Sequence, residues 1–392
     1  MPRTTADDIL NREWHIITCE YPPDIGGVSD YTFQIAKSLS ERGVRAVVWA
    51  PGNGPASATG EAITVNRCFG RFRPHDLWAI NRLWNSLNGP KRILLQWGPT
   101  GYGLKSSNLP FCLWLAWRVV RGDKLVVTFH EAFFSLSEPR LRRRAAALVQ
   151  RAMTILLLNA ATEVFISTSC FAESMRAYCF RKTNIKTLPI PANVLPCANP
   201  EAIAGIRQSM ASNGEPIVGH FGLYSPNVEV LLIPSLLKLL QNNPRIRVLL
   251  IGEGSTYYRQ KLLSYNSELS PRIGATGACS LDEASTHISA CDAMFQPYLD
   301  GITTRRGTTM AALAHGKYLV STRGPNTEDI WKTTPAVYLL SSREPARIAE
   351  ELDNLLLSHD RTAHLGREGV KFYEENFALA RTIDGLLASV SR

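Results

Sequence analysis

Eleven short apolar runs, four to six residues long, recur along the chain with helix-length segments between them, and this alternation constrains the fold more than any other feature. Five lie in the first half, at 14–19, 46–50, 93–97, 125–129 and 164–167; six follow, at 217–222, 248–252, 272–277, 293–297, 318–322 and 337–340. Runs this short and this continuously apolar read as strands buried on both faces, and strands separated by helices form parallel sheets covered on either side. The rhythm pauses over the proline-rich stretch 188–200, so a second α/β domain is expected to begin near residue 200. With 392 residues, 45% of them hydrophobic, the chain can supply two cores rather than one. In such sheets ligands bind in the crevice beyond the carboxyl ends of the strands.

The eight cysteines include no C-x-x-C pair, which points to a reduced, intracellular protein without structural zinc. The N-terminus has neither the basic nor the apolar segment of a signal peptide, and no run approaches the ~20 apolar residues of a membrane span. The expected location is therefore the cytoplasm. Charge is distributed unevenly: residues 1–190 carry 24 Lys and Arg against 14 Asp and Glu, whereas residues 191–392 carry 19 against 20. A basic first half suits an anionic partner such as a membrane surface, nucleic acid or a phosphate-bearing acceptor; an Arg-rich surface that serves only solubility is the other reading. Two features there bear on the choice. One is the basic run Arg140-Leu141-Arg142-Arg143-Arg144; the other is the Trp-bearing segment 111–120, which reads as either a core helix or an interfacial one.

Three places carry candidate chemistry. Gly26 and Gly27 fall between the first strand and a helix expected over 31–40, where a close backbone and open amide groups suit an anion. His130, followed by Glu131, stands at the carboxyl end of the fourth apolar run, and its imidazole can hydrogen bond to a sugar hydroxyl or a forming anion. The most specific stretch runs from Gln296 to Gly316: a strand ends near Pro297, a polar loop carries Asp300, Gly301, Arg305, Arg306 and Gly307, and a helix rich in Ala and Leu starts around Thr308. Two guanidinium groups just before a helix N-terminus make a seat for a diphosphate. The other histidines share no ligand-like spacing, so no metal is expected.

Tyr21-Pro22-Pro23 followed by Gly26-Gly27-Val28 resembles the opening loop of glycosyltransferase family 4, and the resemblance extends over essentially the whole chain. It implies the GT-B architecture: an α/β fold of two Rossmann-like domains facing across an interdomain cleft. The acceptor-side domain would span 1–195 and the nucleotide-sugar domain 196–375, with a final helix, 376–392, crossing back to the first. It also implies transfer with retention of configuration and a sugar-contacting role for His130; Gly222 would allow close approach of the donor, whose expected diphosphate contacts are Arg305, Arg306, Gly307 and Thr308. The chain departs from the family in two respects. Thr303 and Ala311 occupy the positions of the paired Glu-x7-Glu carboxylates, leaving Asp300 as the nearest acid and, with His130, a candidate catalytic residue that would take over a sugar or ribose hydroxyl. Leu223 and Val228 stand where the family has an Arg and a Lys on the diphosphate, so Arg305 and Arg306 would supply that charge instead.

The partners implied are a nucleotide sugar and a glycan, lipid-linked or small-molecule acceptor in cell-surface polysaccharide or glycolipid synthesis, with peripheral contact to anionic membrane through the basic half. No cofactor is implied. Three readings compete with this one. An inactive GT-B relative would follow if the lost carboxylates are not replaced, and a basic membrane- or nucleic-acid-binding module would use only the charged half. An oxidoreductase would need the G-x-G-x-x-G fingerprint, which is absent. No two aspartates stand at i and i+2, which disfavours a metal-dependent transferase of the Asp-x-Asp type.

Overall fold

The computed structural model describes residues 13–24, 26–52, 57–58, 62–87, 89–103, 107–131, 133–134, 136, 141–181, 184–197, 199–356 and 359–388. Two compact units emerge, one made of Met1–Pro189 with Leu379–Arg392 and the other of Ile190–Ala378.

In the first unit the strands are β1 (Glu13–Ile17), β2 (Arg45–Ala50), β3 (Ser57–Ala58), β4 (Ile63–Arg67), β5 (Arg92–Trp97), β6 (Lys124–Phe129), β7 (Glu163–Ile166) and β8 (Ile185–Thr187). They lie in the order β3-β4-β2-β1-β5-β6-β7-β8, all parallel except the short β3, which runs antiparallel to β4. All five expected strands are present. β3, β4 and β8 were not expected: β4 alternates buried Ile63 and Val65 with half-exposed neighbours, and β8 is three residues at a sheet edge. Neither forms a continuous apolar run, which belongs to central strands such as β5, buried at every position.

The helices Pro74–Ser86, Leu109–Val120 and Leu141–Ala160 share one aromatic core beneath this sheet, in which Tyr102 stacks on both Trp97 and Phe111 at 5.1 Å. Leu109–Val120 is a core helix on one face only. Phe111, Cys112 and Leu115 are buried, whereas Leu113, Trp117 and Val120 are exposed. On the second unit-1 layer, the Leu379–Ala388 helix packs on the Gly27–Glu41 helix, and Arg42 pairs with Asp384 at 3.0 Å. This closing helix starts later than the sequence suggested, because Asn376 ends the preceding helix, His359–Asn376.

The second unit holds β9 (Ile217–Phe221), β10 (Arg247–Ile251), β11 (Ile273–Ala275), β12 (Ala293–Gln296), β13 (Tyr318–Thr322) and β14 (Val337–Leu340). Their order is β11-β10-β9-β12-β13-β14, and every pairing is parallel. Counted within the unit this is 3-2-1-4-5-6, the doubly wound order whose ligand crevice opens where the winding reverses, between the first and fourth strands. Separate apolar cores cover the two faces. The reversal falls between β9 and β12, so the loops that follow Phe221 and Gln296 flank it. No helix among the described residues is long and apolar enough to cross a membrane, and all eight cysteines are unpaired.

Candidate active site

At the carboxyl end of β9 the chain turns through Gly222 and enters the Pro226–Asn242 helix; at the end of β12 it runs through 297–306 into the Gly307–Ala314 helix. A Cβ on Gly222 would lie 3.8 Å from His220 Nε2 and from Thr308 Cγ2, so the glycine loop and the first turn of the second helix face each other. Gly252, at the end of β10, closes against the same loop. Its φ is +102°, and a Cβ there would come within 2.9 Å of the Gly222 carbonyl oxygen. The Ile251-Gly252-Glu253-Gly254 segment is thus a tight strand-to-helix turn packed on the Gly222 loop.

Asp300 organises the second loop. Its carboxylate accepts from Arg306 Nη2 at 2.9 Å to each oxygen and from Asn227 Nδ2 at 2.6 Å, with Arg305 Nη2 at 3.7 Å. Burial alone would raise the Asp300 pKa, but the Asn227 hydrogen bond and the Arg306 charge outweigh it and hold the carboxyl below its ordinary value. The Arg306 guanidinium lies over the Tyr298 ring at 4.3 Å, and the Tyr298 hydroxyl is 3.1 Å from Thr308 Oγ1. The loop is strapped from below: the Asn326 amide donates to the Asp300 carbonyl at 2.9 Å, and the Thr304 hydroxyl donates to Glu328 at 2.9 Å. Gly301 has φ +88° at this crossing, where a Cβ would meet the Gly324 nitrogen at 2.5 Å.

The structure therefore brings Gly222, Asp300, Arg305, Arg306, Gly307 and Thr308 to one end of one sheet. Leu223 is exposed and Val228 buried, so neither supplies charge, and Ala311 is fully buried in the core. Thr303 is also buried. Its Oγ1, together with His220 Nε2, Gln296 Oε1 and Arg306 Nε, is a buried polar atom with no protein partner. Because His220 Nδ1 must donate to the Phe295 carbonyl at 2.8 Å, Nε2 is left as a bare acceptor, and burial lowers the pKa of this histidine to about 4. His220, Gln296, Asn227 and Tyr298 escaped sequence reasoning. Only the placing of His220 and Gln296 near strand ends hinted at them.

In the first unit, His130 sits at the end of β6. Its Nε2 is 2.8 Å from Gln96 Oε1, its ring meets Tyr31 edge-on at 5.1 Å, and burial lowers its pKa to about 4, so the imidazole is neutral at physiological pH. Glu131 is exposed. Gly26 precedes the Gly27–Glu41 helix, but the amides expected to await an anion are occupied: Glu20 Oε1 accepts from Val28 and Ser29 at 2.9 and 3.0 Å. A Cβ on Gly26 would strike that carboxylate at 2.3 Å, whereas Gly27 faces open space. Gly26 therefore makes room for an internal anion. A hollow of about 440 Å³ beside the Pro200–Met210 helix has no Lys or Arg among its lining residues and is no seat for a diphosphate.

A doubly wound sheet with a glycine loop and two arginines at its reversal point defines a nucleotide-binding α/β unit, and here a second parallel α/β unit accompanies it. Residues 25–194 match the family model Glycosyltransferase Family 4, and residues 215–358 match the model Glycosyl transferases group 1. The chain is a glycosyltransferase of GT-B fold, its first unit matching the family 4 model and its second the group 1 model. Among solved structures, sucrose-phosphate synthase from Thermosynechococcus elongatus is 15% identical, with TM-score 0.73 over 96% of this chain and 97% of that one. Anabaena HepE, crystallised with UDP and glucose, is 16% identical, with TM-score 0.69 over 97% and 99%. A trehalose-6-phosphate protein of E. coli, bound with UDP-2-fluoro glucose, is 11% identical, with TM-score 0.67 over 97% and 99%. No curated protein sequence matches the chain.

Proposed function

We propose that the chain moves a sugar from a nucleotide-sugar donor to a hydroxyl acceptor with retention of configuration, the donor diphosphate lying against Arg305, Arg306 and the first turn of the Gly307–Ala314 helix. The observation that carries this reading is the convergence of those two arginines, the Gly222 loop and a helix N-terminus at the reversal point of the second sheet. As the bond from the anomeric carbon to the phosphate oxygen breaks, negative charge grows on the departing diphosphate, and fixed guanidinium and amide donors stabilise it. The acceptor oxygen bonds to the same face of that carbon while its proton passes to a phosphate oxygen, so no protein nucleophile takes part.

Asp300 is a positioning residue in this scheme, holding Arg306 over Tyr298. The acceptor atoms of His220 and Gln296 suit donor hydroxyls rather than phosphate oxygens. His130 is the candidate sugar contact of the first unit. UDP-glucose is the first donor to try, since HepE has been crystallised with it. We read the transfer as metal-independent and cytoplasmic, with a glycan or lipid-linked acceptor.

Thermal stabilisation by a panel of UDP-, GDP-, ADP- and dTDP-sugars tests the reading, because a ligand that binds only the folded state raises its stability. One nucleotide class should raise the midpoint, and the Arg305→Ala/Arg306→Ala variant should abolish the rise. An equal rise in that variant would sink the assignment of the diphosphate site.

A further inference from the structure

The helices Pro74–Ser86, Leu109–Val120 and Leu141–Ala160 bury Trp84, Leu115 and Leu157 in the same core, so their outer stripes all face away from one side of the first sheet. The stripes are adjacent. Arg118 on the second helix donates to Asn85 on the first at 2.8 Å, and the second helix packs along the third. Their outward residues differ from an ordinary soluble surface: Trp78 is 63% exposed, Trp117 40%, Val120 85% and Leu141 78%. Arg82 lies over Trp78 at 4.7 Å and Arg121 over Trp117 at 5.5 Å, which places a cation beside each indole. Exposed Arg142 opens the third helix. Against these, the three helices contain a single acid, Asp76, and its carboxylate already accepts from the amides of Arg71 and Arg73.

Indoles and aliphatic side chains gain free energy by entering the headgroup and upper acyl region of a bilayer, and arginines among them gain from anionic headgroups. We propose that this three-helix face docks the protein on an anionic lipid surface. The apolar half argues against nucleic acid, since Val120 and Leu141 gain nothing from a phosphate backbone. Positive charge without compensating acids argues against a symmetric second copy, which would set like charges face to face. The inference is independent of the donor reading and stands or falls without any assay of sugar transfer.

The test is sedimentation of the full chain with vesicles of phosphatidylcholine alone or mixed with phosphatidylglycerol. Two variants accompany it, Trp78→Ser/Trp117→Ser/Val120→Ser and Arg82→Ala/Arg121→Ala/Arg142→Ala, each checked by circular dichroism and thermal midpoint. Wild type should partition onto the anionic vesicles, and less so as salt rises. The apolar variant should lose about tenfold in partition, and the charge variant roughly fivefold for each arginine removed. Three outcomes would overturn the proposal: no partition of wild type, unchanged partition of both folded variants, or concentration-dependent self-association that the apolar variant abolishes.

Discussion

Arg306 joins a carboxylate and an aromatic face through one guanidinium, and its backbone stands at the start of a helix. Its replacement by alanine should lower kcat/KM on the order of a hundredfold or more, the usual consequence of losing a donor that meets developing charge. Steady-state kinetics on the donor found by the thermal panel would measure it. Asp300→Asn should cost less, since the carboxamide keeps an acceptor beside Arg306 while giving up the charge. His220 gives a prediction with a pH axis. Its pKa is lowered from 6.5 to about 4 on folding, so the unfolded chain takes up the proton first. Its contribution to stability is complete above the unfolded value and declines as pH falls from there toward about 4, by up to roughly 1.4 kcal/mol per pH unit. Urea midpoints of wild type and His220→Phe at neutral and mildly acidic pH would show the slope, which the variant should reduce. The arginine pair and Asp300 were legible in the sequence because charge beside a helix start has few other uses. The task of Asp300 was not, since it depends on Asn227, 73 residues away in sequence.

Central strands such as β5 and β9 announce themselves because they are buried at every position. β4, beside the two-residue β3, and the edge strand β8 bury at most alternate residues and blend into their loops. Turns proved harder still. The glycine pair before the Gly27–Glu41 helix looked like a ligand cradle, yet the filling group is Glu20, whose reach back to Val28 and Ser29 no local pattern discloses. Gly252 shows the other kind of glycine, fixed by both its positive φ and the nearby Gly222 backbone. Gly252→Ala should destabilise the chain by about 1–3 kcal/mol and weaken nucleotide-sugar binding, whereas an alanine at Gly27, which faces open space, should leave the fold intact. Denaturant titration with and without the donor separates the two effects.

For the molecule as a whole, the alternation of strands and helices predicted two parallel α/β units, and the comparisons assign them to one enzyme class. A chelator should leave the transfer rate unchanged if arginines supply the charge that a metal would otherwise provide; a rate restored only by a divalent cation would contradict this. The Leu379–Ala388 helix lays buried Ile383 and Leu386 against the first unit, so removing residues 379–392 should lower that unit's stability, read as a lower urea midpoint. The same return has a consequence for biosynthesis. Residues 190–378 form an uninterrupted unit, whereas the first unit needs a helix encoded beyond it. On the ribosome the second unit can therefore be finished before the first is closed, which inverts the usual N-to-C order of domain completion. Until the final helix emerges, the side of the Gly27–Glu41 helix that receives it stays open to water and to chaperones.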